Sequence, residues 1–167
     1  MPWEYDTVHS YIGFIAKHLG INTVHGYFES AQVSLNLDSD DPTQWSIKAT
    51  IQAASINTAI SRRDDALRGE GYLDAERFPT ITFESKRVER RGQRYWMVGA
   101  LTLHGVARDV DLDVAFNGEA TDREVLKRGF SAQGEVDRFQ FEVGEPAKTP
   151  TVGKEIRFVL NMEAIKR

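Results

Sequence analysis

The chain has 167 residues, 41% hydrophobic and 28% charged, with a net charge of −4 and no cysteine. This length fits one domain able to bury its own core, and the composition excludes a disordered chain. It also excludes a disulfide framework, a thiolate metal site and a cysteine nucleophile. The lack of a basic block excludes a nucleic-acid binder held by phosphate contacts. No apolar run approaches the roughly 18 residues of a membrane span. The start, MPWEYDTVHS, is not a cationic segment followed by an apolar one. These features predict a single soluble domain over residues 1–167, cytoplasmic, or periplasmic if a signal peptide has been removed.

Tyr11 to Ala16 alternates with Ile12, Phe14 and Ala16 in one phase, which predicts a strand with one buried face. Lys17-His18-Leu19-Gly20 reads as a turn closed by glycine. Val24, Gly26 and Phe28 share the phase of a second strand, and Val33, Leu35 and Leu37 that of a third. Asp38 to Pro42 is a turn. Ile47, Ala49 and Ile51 alternate on a fourth strand.

The long interruption is Asn57 to Ser85. A short polar helix is expected in the Ser61–Arg68 region, with Ser61 as N-cap, Asp64 completing a loose capping box and Gly69 and Gly71 supplying a left-handed stop. Arg62, Arg63, Asp64, Asp65 and Arg68 predict a salt-bridge knot that fixes this loop, or else an anion site near a barrel mouth.

Strands resume at Thr80–Val88 and Tyr95–Leu103, joined by a turn at Arg90–Gln93, with Gly99 marking a bulge or close approach. His104-Gly105 is a tight turn. Val110, Leu112, Val114 and Phe116 face one way and Asp109, Asp111 and Asp113 the other, with Asn117-Gly118 ending that strand. Gly129–Val136, Phe139–Val143 and a last strand through Ile156, Phe158, Leu160 and Met162 complete the chain. Nine or ten short strands with one apolar face each close most simply into an antiparallel barrel, or pack as a sandwich. A barrel of about eight strands can hold a small ligand.

Chemistry-bearing motifs are sparse. No GxSxG, Walker or dinucleotide pattern occurs. Closure could gather His9, His18 and His25 into a metal site or an enzyme centre, but ordinary turn or surface histidines are the expectation. No catalytic residue, metal ligand or cofactor is assigned. The positive signal is the wealth of apolar side chains on one strand face, which either fill a core or line a cavity. An elongated apolar cavity would bind a chain-like hydrophobic ligand, at about 0.8 kcal/mol per buried methylene before ordering costs.

Several segments, in order, resemble the YceI-like family. They are Asp6-x-x-His9-Ser10-x-Ile12-x-Phe14 with Lys17 to Ile21; Val24-x-Gly26-x-Phe28; Ser55 to Thr58 with Arg63-Asp64-x-x-Leu67-Arg68; and Phe78-Pro79-x-Ile81-x-Phe83. Gly99-x-Leu101-Thr102-Leu103-His104-Gly105-Val106 and Val110-x-Leu112-x-Val114 resemble its later strand pair. Ala66 stands where the family often has histidine, and Gly71-Tyr72-Leu73-Asp74 replaces its Asp-Phe-Phe-Asp. Asp137 to Glu142 departs from its Asn-Arg-x-Asp-Phe-Gly.

The resemblance implies an extended, lipocalin-like antiparallel β-barrel with the helix against it. It also implies a homodimer and non-catalytic binding, sequestration or transport of a long-chain isoprenoid or quinone-like lipid. The alternative is a stress-response or protein-interaction module whose barrel is filled by its own side chains. The in-phase apolar positions expected to line the channel are Ile12, Phe14, Phe28, Val33, Leu35, Ile47, Ile51, Phe78, Ile81, Phe83, Leu101, Val110, Leu112, Val114, Phe158 and Leu160, about half of them touching ligand.

Overall fold

Alternation of apolar and polar residues becomes strand along most of the chain, in a computed structural model that describes residues 2–167. The elements are β1 (Trp3–Tyr5), β2 (Tyr11–His18), β3 (Asn22–Phe28), β4 (Ala31–Asn36), β5 (Ser46–Gln52), β6 (Ile56–Asn57), α1 (Ser61–Arg68), β7 (Thr80–Arg91), β8 (Arg94–Leu103), β9 (Val106–Asp122), β10 (Val125–Asp137) and β11 (Glu155–Lys166). From β4 through β5, β7, β8, β9 and β10 to β11, each strand pairs antiparallel with the next.

β11 also pairs with β2 through Arg157–Asn161 and with β1 through Ala164–Lys166. β2 pairs with β3, and β1 with β4. The first four segments therefore act as two long bent strands, and the sheet closes into an eight-stranded antiparallel barrel. Asp6 makes the first bend, its Oδ1 accepting from the Val8 amide at 2.9 Å and the His9 amide at 3.3 Å. β6 pairs with the foot of β3 at Tyr27 and Phe28.

Two β-bulges shape the wall. On β7, Lys86 is the extra residue between the Ser85–Gly99 and Arg87–Val98 pairs. Gly99 opposite it lies under the Phe83 ring, where a Cβ would collide. On β9, Asn117-Gly118 does not end the strand as expected. The strand continues to Asp122, and the register shifts so that Phe130 faces Phe116 while Arg128 faces Glu119. The bulge thus reverses the phase and places Glu119 on the same face as Phe116. Gly118 has φ +124°, a region essentially reserved for glycine. The β9–β10 turn is instead Arg123-Glu124, both at positive φ.

Phe139–Val143 is not a strand. Arg138–Phe141 forms a 3-10 turn, capped when the Asp137 carboxylate accepts from the Phe139 amide, and Glu142 turns left-handed after it. The departure at the helix is similar. Ser61 is its first residue, Ile60 holds the N-cap position without a side-chain bond, and Gly69 is extended. Asp74, not Gly71, takes positive φ. Asp64 is buried because its Oδ1 accepts from the amide and hydroxyl of Thr58 at 2.8 and 2.6 Å. Arg63 donates to Thr58 Oγ1 and carbonyl, and Arg68 to the Ala54 and Ile56 carbonyls and to Asp65. The expected knot exists, but one of its two acids is held by threonine rather than by arginine.

A buried arginine stands near each barrel end. Arg128 reaches Glu119, Asp40 and the Leu37 carbonyl, with its guanidinium 4.6 Å from the Trp3 ring and 5.1 Å from that of Trp45. At the opposite end Arg138 donates to the carbonyls of Val143, Thr149, Val152 and Gly153 and to Thr149 Oγ1. It is 2% exposed, and these acceptors are all neutral. Burial pulls its pKa below the ordinary value, against smaller upward effects of Tyr72 and Asp137.

Gly118→Val is expected to cost roughly 1–3 kcal/mol, read as a lower urea midpoint; an unchanged midpoint would mean the bulge does not set the register. Arg138→Met leaves four carbonyls short of a donor. It is expected to cost at least about 3 kcal/mol and to raise amide exchange selectively across residues 142–153. Uniform exchange would show that Arg138 does not pin that segment.

Candidate functional site: an apolar cavity inside the barrel

Because side chains alternate along a strand, closing the sheet turns every second residue inward. The inward residues do not fill the barrel: a cavity of about 230 Å³ remains, with an apolar wall. It exceeds the roughly 150 Å³ engineered apolar cavity that stays dry and binds benzene. Hydrophobic free energy therefore favours an apolar ligand over water here.

Of the sixteen positions expected to line a channel, all but Val33 and Phe78 line this cavity. Val33 packs against the same core from β4, opposite Ala49. Phe78 lies on the His104 ring, 4.5 Å between centroids, with the Arg77 guanidinium 5.1 Å from its own ring. It covers the tight turn at Gly105 rather than facing inward.

Other lining residues escaped the strand pattern. Trp45 precedes β5 on a 3-10 turn, where the Asp41 carboxylate accepts from the Thr43 amide at 3.0 Å. Its indole donates to the Ser39 carbonyl at 2.6 Å, and its ring meets Phe116 edge-on at 5.2 Å. Leu67 of α1 and Tyr72 and Leu73 of the following loop line the cavity at the other end, with Val143, Val152 and Arg138. The Leu73 amide donates to the Leu67 carbonyl at 3.0 Å, which ties the loop back to the helix as one covering piece. Met97, Phe130, Ala132, Ile156 and Met162 also line the wall. Their in-phase positions on β8, β10 and β11 were a readable signal for them.

The histidines do not converge. His9 lies in the bend before β2 and His18 at the far end of that strand, so the eight residues of β2 separate them by roughly 25 Å. His25 is on the outer face of β3, opposite Ile15. Among the described residues the grouping with metal-ligand potential is Asp6, His9 and Glu163, whose ligand atoms lie within 4.8 Å of one another. His9 Nδ1 is 2.8 Å from Asp6 Oδ2, and the Lys127 ammonium is 3.2 Å from Glu163 Oε1. Burial pushes the Asp6 carboxyl up, but hydrogen bonds from the His9 ring and the Val8 and His9 amides outweigh it and hold it below its ordinary value. A hydrogen bond to Glu163 holds Lys127 above its own. An ammonium already supplies the cation, and the group staples the β1–β2 bend to β11.

Asp109 pairs with Lys86 at 2.7 Å and Asp113 with Arg94 at 2.7 Å on the outer face, as a solvated face predicts. Among the described residues no helix is long and apolar enough to cross a membrane.

Comparison with known proteins agrees with this geometry. The model of the YceI-like domain matches residues 3–164. A UPF0312 protein of Yersinia pestis (strain Pestoides F) is 30% identical over 159 residues, covering 95% of this chain and 82% of that protein. The crystal structure of a Campylobacter jejuni YCEI protein is similar with TM-score 0.80 at 30% identity, covering 90% of each chain. A polyisoprenoid binding domain from Saccharophagus degradans has the same fold at 13% identity, with TM-score 0.69 and 98% of each chain covered. The family match runs from β1 into β11, across the whole barrel, and the chain belongs to the YceI-like domain family.

Proposed function

We propose that this protein binds a long-chain isoprenoid or similar amphiphilic lipid in its barrel, without catalysis, and so carries or sequesters it. The observation that carries this reading is the unfilled apolar cavity itself. A barrel serving only as an interaction module would fill its interior with side chains, as small barrels do. Support comes also from the fold shared with a protein described as a polyisoprenoid binding domain.

The present space holds a short stretch of chain. A longer chain needs wall residues to swing aside, and Met97 and Met162 suit that role because methionine is unbranched and adaptable. Such a ligand places hydrocarbon inside and keeps its polar head at an end, since the surface the wall exposes to the cavity is apolar. A homodimer, the assembly the resemblance implies, belongs to this reading.

The test is a series of isoprenoid alcohols of increasing length, followed by quenching of tryptophan fluorescence, since Trp45 lines the cavity. Each added isoprene unit is expected to tighten binding about tenfold until the space is full, a fraction of the transfer energy of five carbons. Leu112→Glu places a charge inside and is expected to abolish uptake. Ala132→Phe fills the same space without a charge and is expected to weaken binding at least about tenfold while the protein stays folded. Affinity independent of chain length, or unchanged by Ala132→Phe, would rule the cavity out as the binding site.

A further inference from the structure

Six large apolar side chains are exposed among the described residues, and five of them, Val8, Tyr11, Leu19, Ile21 and Tyr27, fall in one stretch of the chain. The same stretch, Thr7 to Phe28, contains no aspartate or glutamate in a protein of net charge −4. From Tyr11 onward it forms the β2–β3 hairpin, with Val8 in the bend before it. On its outer face Tyr11 and Tyr27 lie 5.8 Å apart, and Ile15 is flanked by His25 on one side and Arg157 on the other. Lys17 donates to Thr23 at 2.7 Å.

The tip is His18-Leu19-Gly20-Ile21, with Leu19 at φ +55° and Gly20 at φ +69°. Asparagine or glycine suits the first of these positions and a bulky residue is strained there. Yet Leu19 is 56% exposed and Ile21 79%, so their own packing does not compensate for the strain. The tip adjoins the cavity end. The Leu19 amide donates to the Thr151 carbonyl at 2.8 Å, His18 bridges to Val152, and Val152 and Ala16 both line the cavity.

We propose that this hairpin face docks on an anionic lipid bilayer, with Leu19 and Ile21 entering the interface, the tyrosines at headgroup level and Lys17 and Arg157 facing lipid phosphates. Amphipathic surfaces bind membranes through this combination of apolar area and cationic charge. A second copy of the chain fits less well. A two-fold interface sets the patch against itself and brings Lys17 to Lys17, while the bordering acids Glu29 and Glu135 are already opposite the Tyr27 hydroxyl and Arg157. The reason for docking, exchange of cargo with the bilayer, rests on the lipid-binding reading above; the face itself does not.

The test is flotation with phosphatidylcholine vesicles, with and without phosphatidylglycerol, at low and high salt. The protein is expected to float with the anionic vesicles and to be released by salt and by Lys17→Glu. The double variant Leu19→Asn with Ile21→Ser changes two exposed residues and puts an αL-tolerant residue at the strained position. It is expected to keep its thermal midpoint and lose at least about tenfold of the vesicle affinity. Uptake of an isoprenoid alcohol supplied in detergent is expected to be unchanged by it.

The proposal is overturned if the wild-type protein does not float with anionic vesicles or if the double variant floats equally well. It is also overturned if sedimentation shows a dimer that the double variant splits, which would make this face a protein interface. If the wild-type protein floats but takes up no isoprenoid alcohol, the docking face stands and the lipid-cargo reading falls.

Discussion

The last strand hydrogen-bonds to the first two, and the rest of the structure depends on that seam. β11 is paired along both sides, with β10 on one and with β2 and β1 on the other. With no free edge left at the seam, the sheet cannot flatten, and its apolar face has to enclose a volume. The Asp6–His9–Glu163–Lys127 cluster sits at this seam, holding the bend that lets one chain segment serve as both β1 and β2. The two buried arginines then stabilise the ends by different means. Arg128 has carboxylates and tryptophan faces around it, whereas Arg138 is dissolved in backbone carbonyls. A guanidinium suits both settings because its five donors point in fixed directions and its charge survives burial.

Alternation made most of the wall legible. On β9 the run from Val110 to Phe116 could be read directly, because one face is buried and the other carries aspartates. The same rule failed where an extra residue shifts the phase. Asn117-Gly118 has the composition of a hairpin turn, and what makes it a bulge is the continued pairing of β9 with β10 beyond it, a long-range fact absent from local sequence. The turn actually used, Arg123-Glu124, carries no turn residue of the usual kind, so the strand pairing around it imposes its positive φ values. Phe139–Val143 alternates like a strand, but the preceding Asp137 caps a 3-10 turn there.

The cavity was legible by side but not by end. Strand phase identified its walls because inward direction is a local property. Trp45, Leu67, Tyr72 and Leu73 come from turns and from the helix region, where period-2 reasoning has no purchase. Phe78 sits in a motif of the family, yet it covers His104 outside the cavity, a choice made by packing against the β8–β9 turn. An empty apolar cavity costs stability, since its lining atoms lack partners on one side. The covering piece formed by α1 and its loop is held by polar bonds of Arg63 and Asp64 to Thr58 and of Arg68 to the Ala54 carbonyl.

Native mass spectrometry of the protein purified from lipid-containing cells, repeated after solvent extraction, tests the lipid-binding account most directly. The account predicts a stoichiometric added mass that leaves on extraction and analyses as an isoprenoid or quinone-like lipid. A bare protein mass that persists after incubation with isoprenoid alcohols would contradict it.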